Sequence, residues 1–176
     1  MKTQNYSFGA VILHWLIATS ILFLFALSWW MMSLPWGEGV RGFPFQLHKN
    51  LGLTLVLLTG LLLYIRFRHS PGRLPDSMSS WTKKMAMLDH ILVYALILVV
   101  CVSGYLSSSY SGWGTTWWWL IELPNWGYEN EELNVLYSDI HIYSCWALLA
   151  LLAAHISGAL YHAFLRDGVV RRMLHL

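Results

Sequence analysis

Charge is scarce in this chain. Only 11% of its 176 residues are Asp, Glu, Lys or Arg, against 57% hydrophobic, where an ordinary soluble domain carries about 25% charged residues. That supply is too small to build a water-facing surface, which excludes a soluble enzyme, a nucleic-acid binder and a disordered chain. The mean hydropathy of +0.51 agrees. Cysteine is scarce too. Cys101 and Cys145 stand far apart inside apolar runs, so there is no disulfide framework and no Cys-x-x-Cys metal knuckle. No internal repeat, low-complexity tract or second domain is visible. What remains is an integral membrane protein.

A helix crossing the hydrocarbon core needs about 20 mostly apolar residues, and four stretches qualify. They are 11–32, 46–65, 85–106 and 140–165; the first and last contain no Asp, Glu, Lys or Arg. Lys49 is the one charge of the second and Asp89 the one charge of the third. The expected fold is an all-α, up-down-up-down four-helix bundle in a single membrane domain. The first span is too long for a cleaved secretory signal, and no Ala-x-Ala site ends it.

Orientation follows from the basic residues. Lys2, Arg66, Arg68, Arg73, Lys83, Lys84, Arg166, Arg171 and Arg172 fall on one side of this topology; only Arg41 and Lys49 fall on the other. The bias predicts that both termini are cytoplasmic. With Asp76, Asp89 and Asp167 included the inner side sums to +6, and Glu38, Glu122, Glu129, Glu131, Glu132 and Asp139 bring the outer side to −4. Trp29, Trp30, Trp36 and a group from Trp113 to Trp126 gather at the outer boundary, as an aromatic belt does. The stretch 115–123 is expected to lie along that interface as a short amphipathic segment.

Eight histidines are present, and six fall in or at the ends of spans: His14, His48, His90, His141, His155 and His162. Ionisable residues in a bilayer are costly and mark functional sites by default. Any single one is as readily a core histidine bonded to a carbonyl; six in four helices are not. Neutral imidazole is an axial ligand of haem iron, and bundle cores are where such ligands converge. A di-iron carboxylate site would need inward Glu, and no span has one. Zinc usually draws on Cys or carboxylate as well. With no Cys-x-x-Cys-His, haem would be held without thioether bonds. Two b-type haems, each with two His ligands, is the economical reading.

His141 and His155, fourteen residues apart, share a helix face with a rise of about 21 Å. His48 matches His141 in depth. His14 needs a partner low on the fourth span, and depth leaves both His155 and His162 open, since His162 lies on the same face about 10 Å further in. Gly52, one turn after His48, leaves room either for a flat macrocycle or for a neighbouring helix.

The set as a whole resembles the bacterial cytochrome b561 family over nearly the whole chain: His14-Trp15, His48-x-x-x-Gly52, Asp89-His90, and His141 followed by His155 and His162. The resemblance implies a cytochrome of the inner membrane. It implies iron ligation by His48 with His141 and by His14 with His155, leaving His162 free; lying beside the basic residues of the inner end, His162 is expected to hydrogen-bond a quinone carbonyl and supply its proton. It further implies electron transfer to membrane ubiquinone, with superoxide as an outer-face donor in some members. His90 is expected to support the inner haem, with Asp89 as its hydrogen-bond neighbour. Arg41 and Lys49 beside His48 offer a local positive funnel for an anion, while Glu129, Glu131 and Glu132 better suit a cationic protein donor. The competing function is a membrane anchor and electron conduit for a separate dehydrogenase or hydrogenase subunit, docked on the outer loop 107–138. A transporter using the histidines as a proton relay is the third class.

Overall fold

Four helices of membrane-crossing length make up the computed structural model, which describes residues 7–35, 40–69 and 78–171. Lys2, Arg73, Arg172, Trp36, Glu38 and Asp76, which enter the charge and tryptophan arguments above, lie outside the described residues. The helices are α1 (Phe8–Ser33), α2 (Gly42–Arg68), α3 (Ser80–Tyr110) and α4 (Glu131–Leu165). Three of them start on a side-chain cap. The oxygens of Ser7, Ser79 and Asn130 accept from the backbone N–H groups of Ala10, Thr82 and Leu133, satisfying donors that have no partner within the helix. Glu131 and Glu132 add negative charge to the first turn of α4, where the helix dipole favours it.

A seven-residue stripe organises the interior. His48, Leu55 and Leu62 follow it on α2; His90, Ile97 and Gly104 on α3; His141, Leu148, His155 and His162 on α4; His14 and Ile21 on α1. Seven residues are nearly two turns, so each stripe stays on one face with about 20° of drift per repeat. Because the helices alternate in direction, the stripes come into register as layers. The middle layer is the apolar core, where Ile21, Leu55, Ile97 and Leu148 are buried together. One histidine layer lies toward the end that carries residues 7 and 171. The other lies toward the opposite end. α1 packs along α2 and α3 along α4, and large apolar side chains such as Leu57, Val99 and Phe164 face outward, as lipid-facing surfaces do.

Two features differ from the sequence reading. The fourth helix begins at Glu131, nine residues before the expected span. Its first turns are too polar to count as a span, yet they are tied to α3: Asn134 Nδ2 donates to the Ser107 carbonyl at 2.8 Å, the Ser107 and Ser138 hydroxyls bond at 2.8 Å, and Tyr110 stacks on Tyr137. The stretch 115–123 is not one amphipathic segment but a hairpin of β1 (Thr115–Trp117) and β2 (Ile121–Leu123), paired antiparallel. Trp118 and Trp119 hold left-handed backbone at its turn, with φ of 48° and 58°, at about 1–2 kcal/mol each for residues with a Cβ. Bonds to α2 offset that cost. Trp118 N donates to Asn50 Oδ1 at 3.0 Å, and the indoles of Trp117 and Trp118 both donate to Thr54 Oγ1. Two members of the expected tryptophan belt therefore fasten the hairpin.

Candidate cofactor site: two facing imidazole pairs

The layering puts imidazoles face to face at two depths. At the hairpin end, the rings of His48 and His141 have centres 6.1 Å apart and planes at 77°. At the terminal end, the His14 and His155 ring centres are 6.3 Å apart. An imidazole nitrogen binds a metal at about 2.0 Å, and ring bonds of about 1.33 Å place the ring centre about 1.1 Å from that nitrogen. An iron midway between two imidazoles thus requires ring centres about 6.2 Å apart. Both pairs have that spacing.

At the hairpin end the surroundings of the two rings also bear on whether a planar group fits. His141 Nδ1 donates to the Val100 carbonyl at 2.8 Å, which makes Nε2, contacted by the Cys145 thiol at 3.7 Å, the atom that would face a metal. His48 Nδ1 is buried with no hydrogen-bond partner among the described residues, an orphaned atom that a metal bound at Nδ1 would satisfy. Gly104 is where the His141 ring crosses α3; a Cβ there would stand 2.9 Å from Nδ1. Gly52 differs. A Cβ at that position would meet nothing within 4 Å, so the space beside it is not filled by a neighbouring helix, although the Cys101 thiol reaches its carbonyl.

At the terminal end the structure corrects one expectation. Asp89 does not serve His90. Its Oδ2 accepts from His155 Nδ1 at 2.6 Å and stands 3.8 Å from His90 Nδ1, which bonds the Ala86 carbonyl instead. The side chains of Asp89, His90 and His155 nevertheless converge, with one donor atom from each inside 4.8 Å of the others. The membrane cost of Asp89 flags it in the sequence, but the partner is 66 residues away and only the packing of α3 on α4 supplies it. The Val100 carbonyl has no sequence signature at all. Gly104 does: it is the third member of the stripe His90, Ile97, Gly104.

His162 sits one repeat beyond His155 on the same stripe of α4. Its Nδ1 lies 2.5 Å from Asp167 Oδ2. Desolvation raises the Asp167 pKa, but the bonds from His162 and from the Val169 N–H outweigh it and hold the carboxyl below its ordinary 3.8. The carboxylate therefore persists down through pH 3.8 and is lost only below it. Arg41 and Lys49 spend their donors on carbonyls. Arg41 bonds those of Met32 and Leu34 at the end of α1, and Lys49 those of Trp113 and Gly114. Both act as staples between the elements of that end.

A membrane bundle whose interior histidines face each other in pairs is a transmembrane electron-transfer protein of the b-cytochrome class. Sequence comparison identifies it further: the family described as prokaryotic cytochrome b561 matches residues 5–176, and the chain belongs to that family. It is accordingly a multi-pass membrane protein that binds b-type haem and takes part in electron transport. It is 29% identical over 175 residues to cytochrome b561 homolog 2 of Escherichia coli K12, covering 97% of this chain and 92% of that one. Cytochrome b561 homolog 1 of the same strain is 28% identical over 177 residues, covering 98% and 95%.

Proposed function

We propose that the protein is a di-haem cytochrome of the bacterial inner membrane that passes electrons between a periplasmic donor and membrane quinone. The observation that carries this reading is the pair of facing imidazoles, with ring centres at 6.1 and 6.3 Å. His48 and His141 hold one haem; His14 and His155 hold the other. Of the two partners that depth allows His14, His155 is the one at ligation distance. Each haem, when bound, supplies a one-electron iron couple. The chain's own work is to hold the ligand rings rigid and at fixed depths. Val100 and Asp89 orient His141 and His155, and Ile21, Leu55, Ile97 and Leu148 keep water out of the layer between.

By the positive-inside rule the terminal end faces the cytoplasm. His162, at that end, then holds and moves a proton at Nε2 for a quinone carbonyl, with Asp167 keeping Nδ1 occupied. At the periplasmic end the stapled Arg41 and Lys49 and the acidic Glu129, Glu131 and Glu132 favour a cationic redox protein over superoxide as donor. The acidic first turn of α4 equally suits a docked dehydrogenase subunit, the second reading.

The test is a reduced-minus-oxidised spectrum of the purified chain with haem counted as the pyridine haemochrome. Two low-spin b haems per chain are expected; one would break the pairing. Turnover by the isolated chain with superoxide, or with a basic soluble cytochrome, then separates the donors. A co-purifying subunit and no turnover would favour the conduit.

A further inference from the structure

In each imidazole pair the α4 histidine is held through Nδ1 by an acceptor on α3, and the two acceptors differ. His141 Nδ1 donates to a neutral acceptor, the Val100 carbonyl, at 2.8 Å. His155 Nδ1 donates to a carboxylate, Asp89 Oδ2, at 2.6 Å. Both bonds run from α4 to α3, and both engage the nitrogen opposite the one that would face iron. We infer that Asp89 is a positioning residue for His155 that sets the redox equilibrium of the terminal-end haem apart from that of the hairpin-end haem. This rests on the ligand assignment proposed above.

The physical argument begins with cost. A carboxylate within a membrane span is expensive unless paired, and Asp89 is the one acidic residue of the apolar part of α3. Its neighbour in sequence is the more distant partner, with His90 Nδ1 3.8 Å from Oδ2 and bonded to the Ala86 carbonyl at 2.6 Å. What Asp89 gains is the charge-assisted bond to His155, of a kind roughly twice as strong as a neutral one. The His90 ring packs edge-on against His155, centres 5.3 Å apart at 80°, and blocks rotation of the imidazole away from the carboxylate. A carboxylate on the remote nitrogen raises the basicity of a ligating histidine. A more basic ligand, with an anion beside it, stabilises ferric over ferrous iron. A backbone carbonyl on His141 does this less. The Arg66 cation, which donates to Tyr94 Oη at 2.5 Å, lies within electrostatic reach of His14 and His90 on the same side and works against the carboxylate. Asp89 therefore holds the potential of a haem bound at the terminal end below the value that a neutral acceptor on His155 would give.

The experiment is a redox titration of the detergent-purified holoprotein with low-temperature EPR, comparing wild type, Asp89→Asn, Asp89→Glu and His155→Ala. Asp89→Asn keeps an acceptor of the same shape without the charge. Both haems should remain. One should become easier to reduce by about tenfold in its ferric/ferrous equilibrium, about 59 mV for one electron, with a change in its g values, while the other stays put. The haem that moves should be the one missing from His155→Ala, and Asp89→Glu should restore its potential. Should Asp89→Asn lose a haem, loss of the His155 haem alone with rescue by Asp89→Glu supports positioning; loss of both overturns it. Both haems bound with neither potential moved, or both moved equally, overturns it too. Retention of both haems by His155→Ala would instead refute the ligand assignment.

Discussion

Replacing Gly104 by alanine adds a single methyl group, and the structure says where it lands. The new Cβ would stand 2.9 Å from Nδ1 and 3.0 Å from Cε1 of His141, where ordinary contact begins at about 3.4 Å. The ring must retreat by about half an ångström. That movement is opposed by its bond to the Val100 carbonyl, now 2.8 Å, which would stretch past the 3.2 Å limit of a good N–H···O bond. Overpacking of this kind costs about 1–3 kcal/mol and the weakened hydrogen bond about 0.5–1.5 kcal/mol. Alanine's better helix propensity returns about 1 kcal/mol. The net is borne by one ring, so the affinity of the His48–His141 site for haem should fall about tenfold, the lower end of what losing a ligand's orienting partner does. Haem per chain should drop from two toward one on dilution, and the surviving EPR signal should match that of a His141→Ala variant. Retention of both haems with unchanged signals would refute the placement of His141 against α3.

Gly52→Ala is the matching probe. The Cβ meets no protein atom within 4 Å, so thermal stability of the haem-free chain should hold or rise by up to about 1 kcal/mol, while haem content falls if a macrocycle fills that space; unchanged haem content places the macrocycle elsewhere. Asn50→Ala removes the fully buried acceptor of Gln46 Nε2 and Trp118 N, which should cost about 1–3 kcal/mol and expose the hairpin to proteolysis between 112 and 127. An unchanged digestion pattern would show that Thr54 and Lys49 suffice. His162→Ala should leave two haems and slow quinone reduction in stopped flow by about a hundredfold, the lower range for a lost general acid; a lost haem would make it a ligand.

The spans and the two histidine layers were legible in the sequence because each rests on a one-dimensional quantity. Apolar length sets a crossing, and multiples of seven residues keep His141, Leu148 and His155 on one face whatever surrounds them. The hairpin was not legible: Trp117 to Leu120 reads as interfacial apolar chain, and its left-handed turn is stabilised by Asn50 and Thr54, distant in sequence. Nor was the polar continuation of α4, which Ser107 of α3 holds in place. Only tertiary structure brought the His155 ring to 6.3 Å from that of His14, and only it moved Asp89 from His90 to His155. Residues i and i+1 on a helix diverge by about 100°, so a neighbour in sequence is seldom the partner. Which acceptor orients an imidazole is decided by the helix packed against it.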